Sequence, residues 1–122
     1  MSSSAAPPVQ LTSTPRGDVL VIRVDERRLD ARVAVGFKSQ VSALVEGGAL
    51  VVLDLSAVVF MDSSGLGALV GVLKQCGRRG DLALAGVGAS VLELLKLTRM
   101  DRVFALHDSV DGAVAALGGE AA

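Results

Sequence analysis

Asp62-Ser63-Ser64-Gly65-Leu66-Gly67 sets two hydroxyls and a carboxylate at a seam between two kinds of sequence. Before it, Ala49-Leu50-Val51-Val52-Leu53-Asp54-Leu55 is β-branched and nearly all apolar, the composition of a strand buried on both faces. After it, Leu66, Leu69, Val70 and Leu73 recur at three- and four-residue steps, which is one face of a helix. The serines therefore fall at a helix N-terminus, where the first N–H groups have no partner inside the helix and the macrodipole is positive. That place suits negative charge, and a phosphate carried by a serine would be well housed there. The same residues also read as an ordinary helix start, with Asp and Ser as caps and Gly as a turn former. Phe60-Met61 is apolar right up to the cap, and Gly65 and Gly67 leave the first turn without bulk. Gly costs up to ~1 kcal/mol in a helix relative to Ala, so two in one turn point to the close approach of a partner's backbone.

Other chemistries lack parts. A nucleophile elbow needs a glycine two residues before its serine, and His107, the only histidine, would have to be its base. A phosphate loop ends in Gly-Lys-Ser/Thr, whereas Gly65-Leu66-Gly67-Ala68 has no lysine. The dinucleotide fingerprint needs its third glycine at position 70, and that glycine stands at Gly71. Asp54 and Asp62 straddle the end of the buried strand, but paired acid/base work needs a pocket of which the sequence gives no sign; Asp54 reads as the strand's end. Cys76 is alone, so no disulfide forms within the chain, and with one His the ligands for zinc are too few. Cys76 reads instead as a small apolar residue of the helix. No catalytic residue, metal site or cofactor is expected.

The elements that must position the motif follow from pattern. At 122 residues the chain makes one domain, and at 51% apolar with three Phe and neither Tyr nor Trp its core is aliphatic. Val9 to Ser13 reads as an edge strand, Thr14 to Asp18 as a turn, and Val19 to Val24 as a stronger strand that completes a hairpin. Ala31 to Val45 has a helical face of Val33, Phe37, Val41 and Leu44, stopped by Gly47-Gly48. The motif helix stops around Gly77-Arg78-Arg79-Gly80; Leu82 to Ala85 is a short strand. A helix starting near Ala89 or Ser90 carries Val91, Leu92, Leu94, Leu95 and Leu97. Val103 to Leu106 is the last strand, and Ser109 to Leu117 the last helix, with Val110, Val114 and Leu117 on one side. Strands alternating with helices after an opening hairpin predict an α/β domain, a mixed sheet of four or five strands with packed helices. Residues 1–8 read as a disordered leader and 118–122 as a flexible tail.

Net charge is −1, with Arg and Lys scattered in ones and twos, which gives no track for a nucleic-acid backbone and almost no aromatic platform for bases. Direct nucleic-acid binding is not expected. No basic-then-apolar leader marks a signal peptide. No stretch approaches the ~20 apolar residues that a membrane helix needs, because Asp54, Ser56, Asp62 and Lys74 interrupt the greasiest region. The expected address is cytoplasmic, without membrane insertion.

Val58 to Gly67, centred on Asp62-Ser63-Ser64-Gly65-Leu66-Gly67, resembles the signature of the anti-sigma factor antagonists, small bacterial members of the STAS (sulfate transporter and anti-sigma antagonist) domain family. Leu29-Asp30-Ala31 followed by Phe37-Lys38 resembles that family's second marker, an acidic turn that opens its first long helix. Family members often carry a Gly just before this Leu-Asp pair; here Glu26-Arg27-Arg28 fill the turn. The resemblance implies a STAS domain over residues 9–117, no enzymatic activity, and a partner surface of Asp30, Asp62, Ser63, Ser64, Gly65, Leu66 and Gly67. It implies Ser63 as the phosphorylated residue, Asp62 orienting its hydroxyl and presenting charge, and Ser64 capping the helix. It also implies the partners: an anti-sigma factor that is a serine kinase, whose capture releases a sigma factor, and a metal-dependent serine phosphatase that resets the mark. The alternative within the family is a fixed structural subunit, in a lipid-transport ATPase or a stress-signalling assembly, whose serine motif only docks.

Overall fold

The computed structural model describes residues 9–45, 50–76 and 82–118. The proposed leader at 1–8, the glycine stops at 47–48 and 77–80, and residues 119–122 of the proposed tail lie outside the described residues.

The opening hairpin pairs β1 (Leu11–Arg16) with β2 (Val19–Val24) antiparallel, from Leu11 opposite Val24 to Arg16 opposite Val19. The strand runs further than the sequence suggests, through Pro15 and Arg16, and the turn shrinks to Gly17-Asp18 with Gly17 at φ 63°. Pro15 is tolerated because β1 is the edge of the sheet, where a missing N–H breaks no ladder. Two short strands, β3 (Arg28–Leu29) and β5 (Phe60–Met61), stand outside this sheet and pair with each other. Within it, β4 (Leu50–Asp54) pairs parallel with β2, β6 (Leu82–Ala85) with β4, and β7 (Ala105–His107) with β6. The result is one five-stranded mixed sheet in the order β1-β2-β4-β6-β7. Its parallel strands step in a single direction, and their crossovers carry α1 (Ala34–Leu44), α2 (Ser63–Cys76) and α3 (Ala89–Leu97).

Strand alternation sorts the core into two layers. Ile22, Val24, Val51, Leu53, Leu82 and Leu84 face α1, α2 and α3 through Phe37, Val41, Leu69, Val72 and Leu95, all essentially inaccessible. Val19, Val21, Val52, Ala83 and Ala85 face the opposite way onto α4 (Val110–Ala116), which contributes Ala113 and Val114. The alanines of β6 let this short helix lie close. Its first turn is held by Ser109, whose Oγ accepts from the Gly112 N–H at 3.0 Å.

Two further boundaries differ from the sequence reading. The first helix starts at Ala34, and its buried stripe is Ala34, Phe37, Val41 and then Val45, leaving Leu44 40% exposed. Residues 31–33 form a turn instead, because the Asp30 carbonyl accepts from both the Val33 and Ala34 N–H groups while its Oδ1 accepts from Arg32 N–H. The last strand begins at Ala105, since the Val103 and Phe104 N–H groups still bond to Met100 at the end of a 3-10 turn, Met100–Arg102.

Candidate functional site

The two-stranded sheet builds the site. β3 and β5 pair parallel, Arg28 opposite Phe60 and Leu29 opposite Met61. The Val59 and Phe60 N–H groups both donate to the Arg27 carbonyl, at 2.7 and 3.2 Å, and extend the pairing backward. One residue forward along each strand stand Asp30 and Asp62. This short ladder is how two markers distant in sequence come to share one surface.

Asp62 is the residue that organises it. Its Oδ1 accepts from the Ser64 N–H at 2.9 Å and the Gly65 N–H at 3.1 Å, while its carbonyl accepts from Leu66 N–H at 3.0 Å. That is the geometry of an N-cap, with Ser63 the first residue inside α2. Ser64 therefore does not cap the helix: already inside its first turn, it gives its N–H to the cap. The other oxygen of Asp62, Oδ2, accepts from the Ala31 N–H at 3.3 Å, and the Asp62 N–H donates to the Leu29 carbonyl at 3.4 Å. Both carboxylate oxygens are thus engaged in joining α2 to the Leu29-Asp30-Ala31 turn. No hydrogen bond between Asp62 and the Ser63 hydroxyl is present among the described residues.

The two glycines of the motif do different things. Gly65 is buried, and a Cβ there would overlap the Leu29 carbonyl oxygen and lie 2.9 Å from its carbon and 3.0 Å from Met61 Cγ. Its bareness serves an approach within the chain, the seating of α2 on the acidic turn, and not the approach of a partner. Gly67 is exposed, and a Cβ added to it would meet nothing within 4 Å, so it is the glycine of the first turn that stays open to an incoming surface. Leu66 is half-buried against the core.

Ser63 is exposed, and its hydroxyl makes no hydrogen bond among the described residues. Ser64 is half-buried. Beside them Val59 and Phe60 present apolar surface, 49% and 36% exposed. The Arg28 guanidinium lies 4.3 Å above the Phe60 ring and donates from Nε to Asp30 Oδ2 at 3.3 Å. Asp30, its side chain 16% exposed, is thereby paired on one oxygen and bonded to the Arg32 N–H through the other. The cation–π pair and the backbone of Leu29 are the parts of the site that the motif alone does not disclose. The filled turn at Glu26-Arg27-Arg28 is the one sequence signal for them.

His107 lies on β7 at the far edge of the sheet, where its carbonyl accepts from the Gly86 N–H. The main contacts of β7 are with β6, α4 and the 3-10 turn, so it is not brought to the serines. Among the described residues no three His, Cys, Asp or Glu side chains are grouped so as to hold a metal ion, and no helix is long and apolar enough to cross a membrane. What the arrangement offers is a rigid helix entrance with an open hydroxyl, bordered by apolar and charged side chains.

Comparison with known proteins agrees with this architecture. The STAS domain family model matches residues 10–113. An anti-sigma factor antagonist from Mycobacterium paratuberculosis is 26% identical, with 93% of this chain and 98% of that one covered at a TM-score of 0.81. An anti-sigma-factor antagonist (STAS) domain protein from Planctomyces limnophilus is also 26% identical, covering 89% and 98% at a TM-score of 0.79. The Bacillus cell fate determinant SpoIIAA in its phosphorylated form shares the fold at 19% identity, 89% and 98% coverage and a TM-score of 0.64.

Proposed function

The chain belongs to the STAS domain family, and on that premise we propose that it is an anti-sigma factor antagonist governed by the state of Ser63. With Ser63 unmodified, the surface formed by Asp30, Asp62, Ser63, Ser64, Leu66 and Gly67 binds an anti-sigma factor that is also a serine kinase, and a sigma factor is released. The kinase then transfers the γ-phosphoryl group of ATP to Ser63: a bond forms from Oγ to phosphorus, the bond to the ADP oxygen breaks, and the hydroxyl proton passes to a base on the kinase. A serine phosphatase hydrolyses the ester and restores the binding form. All of this proceeds in the cytoplasm.

The reading rests chiefly on Ser63 itself, an exposed hydroxyl without an internal hydrogen bond on a helix entrance immobilised from behind by Asp62 and Gly65. A nucleophile so placed is accessible, on a backbone that the cap holds in place. The two anti-sigma factor antagonists at 26% identity, matched over nearly their whole lengths, support the role. A phosphoserine carries about −1.5 to −2 charges, enough to disrupt an interface built around a neutral hydroxyl next to two carboxylates.

The test is incubation with ATP and a serine-kinase anti-sigma factor encoded in the same genome, followed by fragment mass spectrometry. Phosphate is expected on Ser63 and lost in Ser63→Ala. Binding without phosphorylation, at equal affinity for Ser63→Ala and Ser63→Glu, would favour the fixed structural subunit instead.

A further inference from the structure

Phosphate at the entrance of α2 meets helix amides that are already taken. Of the first-turn donors, Ser64 N–H and Gly65 N–H bond to Asp62 Oδ1 and Leu66 N–H bonds to the Asp62 carbonyl, leaving only the N–H of Ser63. Asp62 and Asp30 also add negative charge alongside. The new group must find its counter-charge elsewhere.

Two candidates flank the acidic turn that the β3–β5 ladder sets beside the entrance of α2. Arg28 uses Nε on Asp30 and its face on Phe60, so its two terminal nitrogens remain outward, with the side chain 61% exposed. Arg32 is exposed, makes no ion pair among the described residues, and follows Ala31, whose N–H is on the Asp62 carboxylate. By register Arg28 stands opposite Phe60, three residues before Ser63; at about 3.3 Å per residue this is roughly 10 Å of backbone, within the combined reach of an arginine and a phosphoserine. Arg27 is one register position further away. Lys38 lies over Gly71, two turns along α2 and about 12 Å from its start.

We propose that phosphate on Ser63 is held by Arg28 and Arg32, with Arg28 turning from Asp30 to the phosphate. Guanidinium groups pair with phosphate through parallel N–H···O bonds that outmatch one bond to a partly exposed carboxylate. The modification then does two things together: it places charge at Ser63, and it withdraws the basic rim of the site from any partner. A glutamate at position 63, with a single charge and no third oxygen, reproduces the first effect and little of the second. The inference rests on Ser63 being the modified residue.

Its test does not need the kinase. Phosphoserine is installed at position 63 of the whole chain by genetic encoding, and the phosphate is titrated by phosphorus NMR in the native sequence and in Arg28→Gln, Arg32→Gln, the double variant and Arg27→Gln. Arg28→Gln also unpairs Asp30, so the titration is read together with the Arg28 Nε–Hε resonance, which separates contact with the phosphate from a general loss of positive charge. The native phosphoprotein is expected to titrate at least about half a unit below the double variant, with each single variant between them and Arg27→Gln unchanged. The Arg28 Nε–Hε resonance, read in the native protein alone, is expected to move on phosphorylation as it leaves Asp30. A double variant that titrates with the native protein, or a shift carried by Arg27, overturns the proposal; a stationary Arg28 resonance does the same. Failure of a kinase to modify Ser63 is read in the separate mass-spectrometric assay and bears on the functional reading alone.

Discussion

Gly65 and Gly67 sit two residues apart in the same helical turn, and alanine at each is expected to shift stability in opposite directions. At Gly67 the added methyl meets nothing within 4 Å, so only the backbone term remains: Ala exceeds Gly by about 0.5–1 kcal/mol in a helix. At Gly65 the same term is set against overlap with the Leu29 carbonyl oxygen and a 2.9 Å approach to its carbon. Overpacking costs about 1–3 kcal/mol, and the upper end applies because a backbone carbonyl tied into the β3–β5 ladder has no alternative rotamer. Subtracting the helix gain leaves a net loss of about 2 kcal/mol. At about 4–8 °C per kcal/mol for a small domain, Gly65→Ala should melt roughly 8–16 °C below the native protein and Gly67→Ala a few degrees above it. Urea titration followed by circular dichroism gives the free energies, and an amide spectrum of Gly65→Ala should show its largest shifts at Leu29, Asp30 and Ala31. Two melting shifts of the same sign, or a Gly65→Ala protein as stable as the native one, would refute the claim that α2 is seated directly on the acidic turn.

Removing the cap should be graded. Asp62→Ala loses the Oδ1 bonds to α2 and the Oδ2 bond to Ala31 and is expected to cost about 1–2 kcal/mol in urea denaturation, whereas Asp62→Asn keeps one accepting oxygen for the helix and should fall between it and the native protein. Ser63→Ala, at an exposed first helical position with no side-chain hydrogen bond, should stay within about 0.5 kcal/mol of native stability while resisting release from the kinase partner in calorimetry. Ser63→Glu should weaken that binding by roughly two orders of magnitude, since like charges at an interface cost several kcal/mol and each ~1.4 kcal/mol is tenfold. Ser109→Ala should lower stability by about 1 kcal/mol through the cap of α4 and leave partner affinity unchanged, which separates loss of fold from loss of the site.

Much of the fold is legible in the sequence where an element is long and one-sided. The unbroken apolar run at Leu50–Asp54 is a buried strand, the hairpin forms with its turn narrowed to Gly17-Asp18, and α2 forms where its spacing says, though its deepest stripe is Gly65, Ala68, Leu69, Val72 and Cys76, with Leu66, Val70 and Leu73 of the expected face only half-buried beside it. Legibility ends where elements become too short for any period to exist. Arg28–Leu29 and Phe60–Met61 are two residues each, and neither alternation nor composition can announce a strand of that length. The start of the first helix is obscured for another reason: Val33 continues the apolar spacing of Phe37 and Val41, but Asp30 takes the Arg32 and Val33 N–H groups into a turn. Leu44 and Val45 are both apolar, and it is Val45 that continues the buried face of Ala34, Phe37 and Val41.

The site is affected most, because its chemistry hangs on the unannounced ladder. Sequence alone places a carboxylate, two hydroxyls and two glycines at a helix start and leaves each free to face a partner. Once Leu29 lies beside Met61, those freedoms close in order. The Leu29 carbonyl claims the space a side chain at position 65 would fill, and Ala31 claims one oxygen of Asp62 while the helix claims the other. Of the residues in the motif, only Ser63 and Gly67 remain both exposed and unengaged. A surface whose other polar groups are fixed by the fold can be rewritten at one hydroxyl without disturbing what lies beneath it. By the same arrangement, a charge added at that hydroxyl finds every first-turn amide but that of Ser63 occupied and, as proposed above, turns to the arginines at either end of the acidic turn.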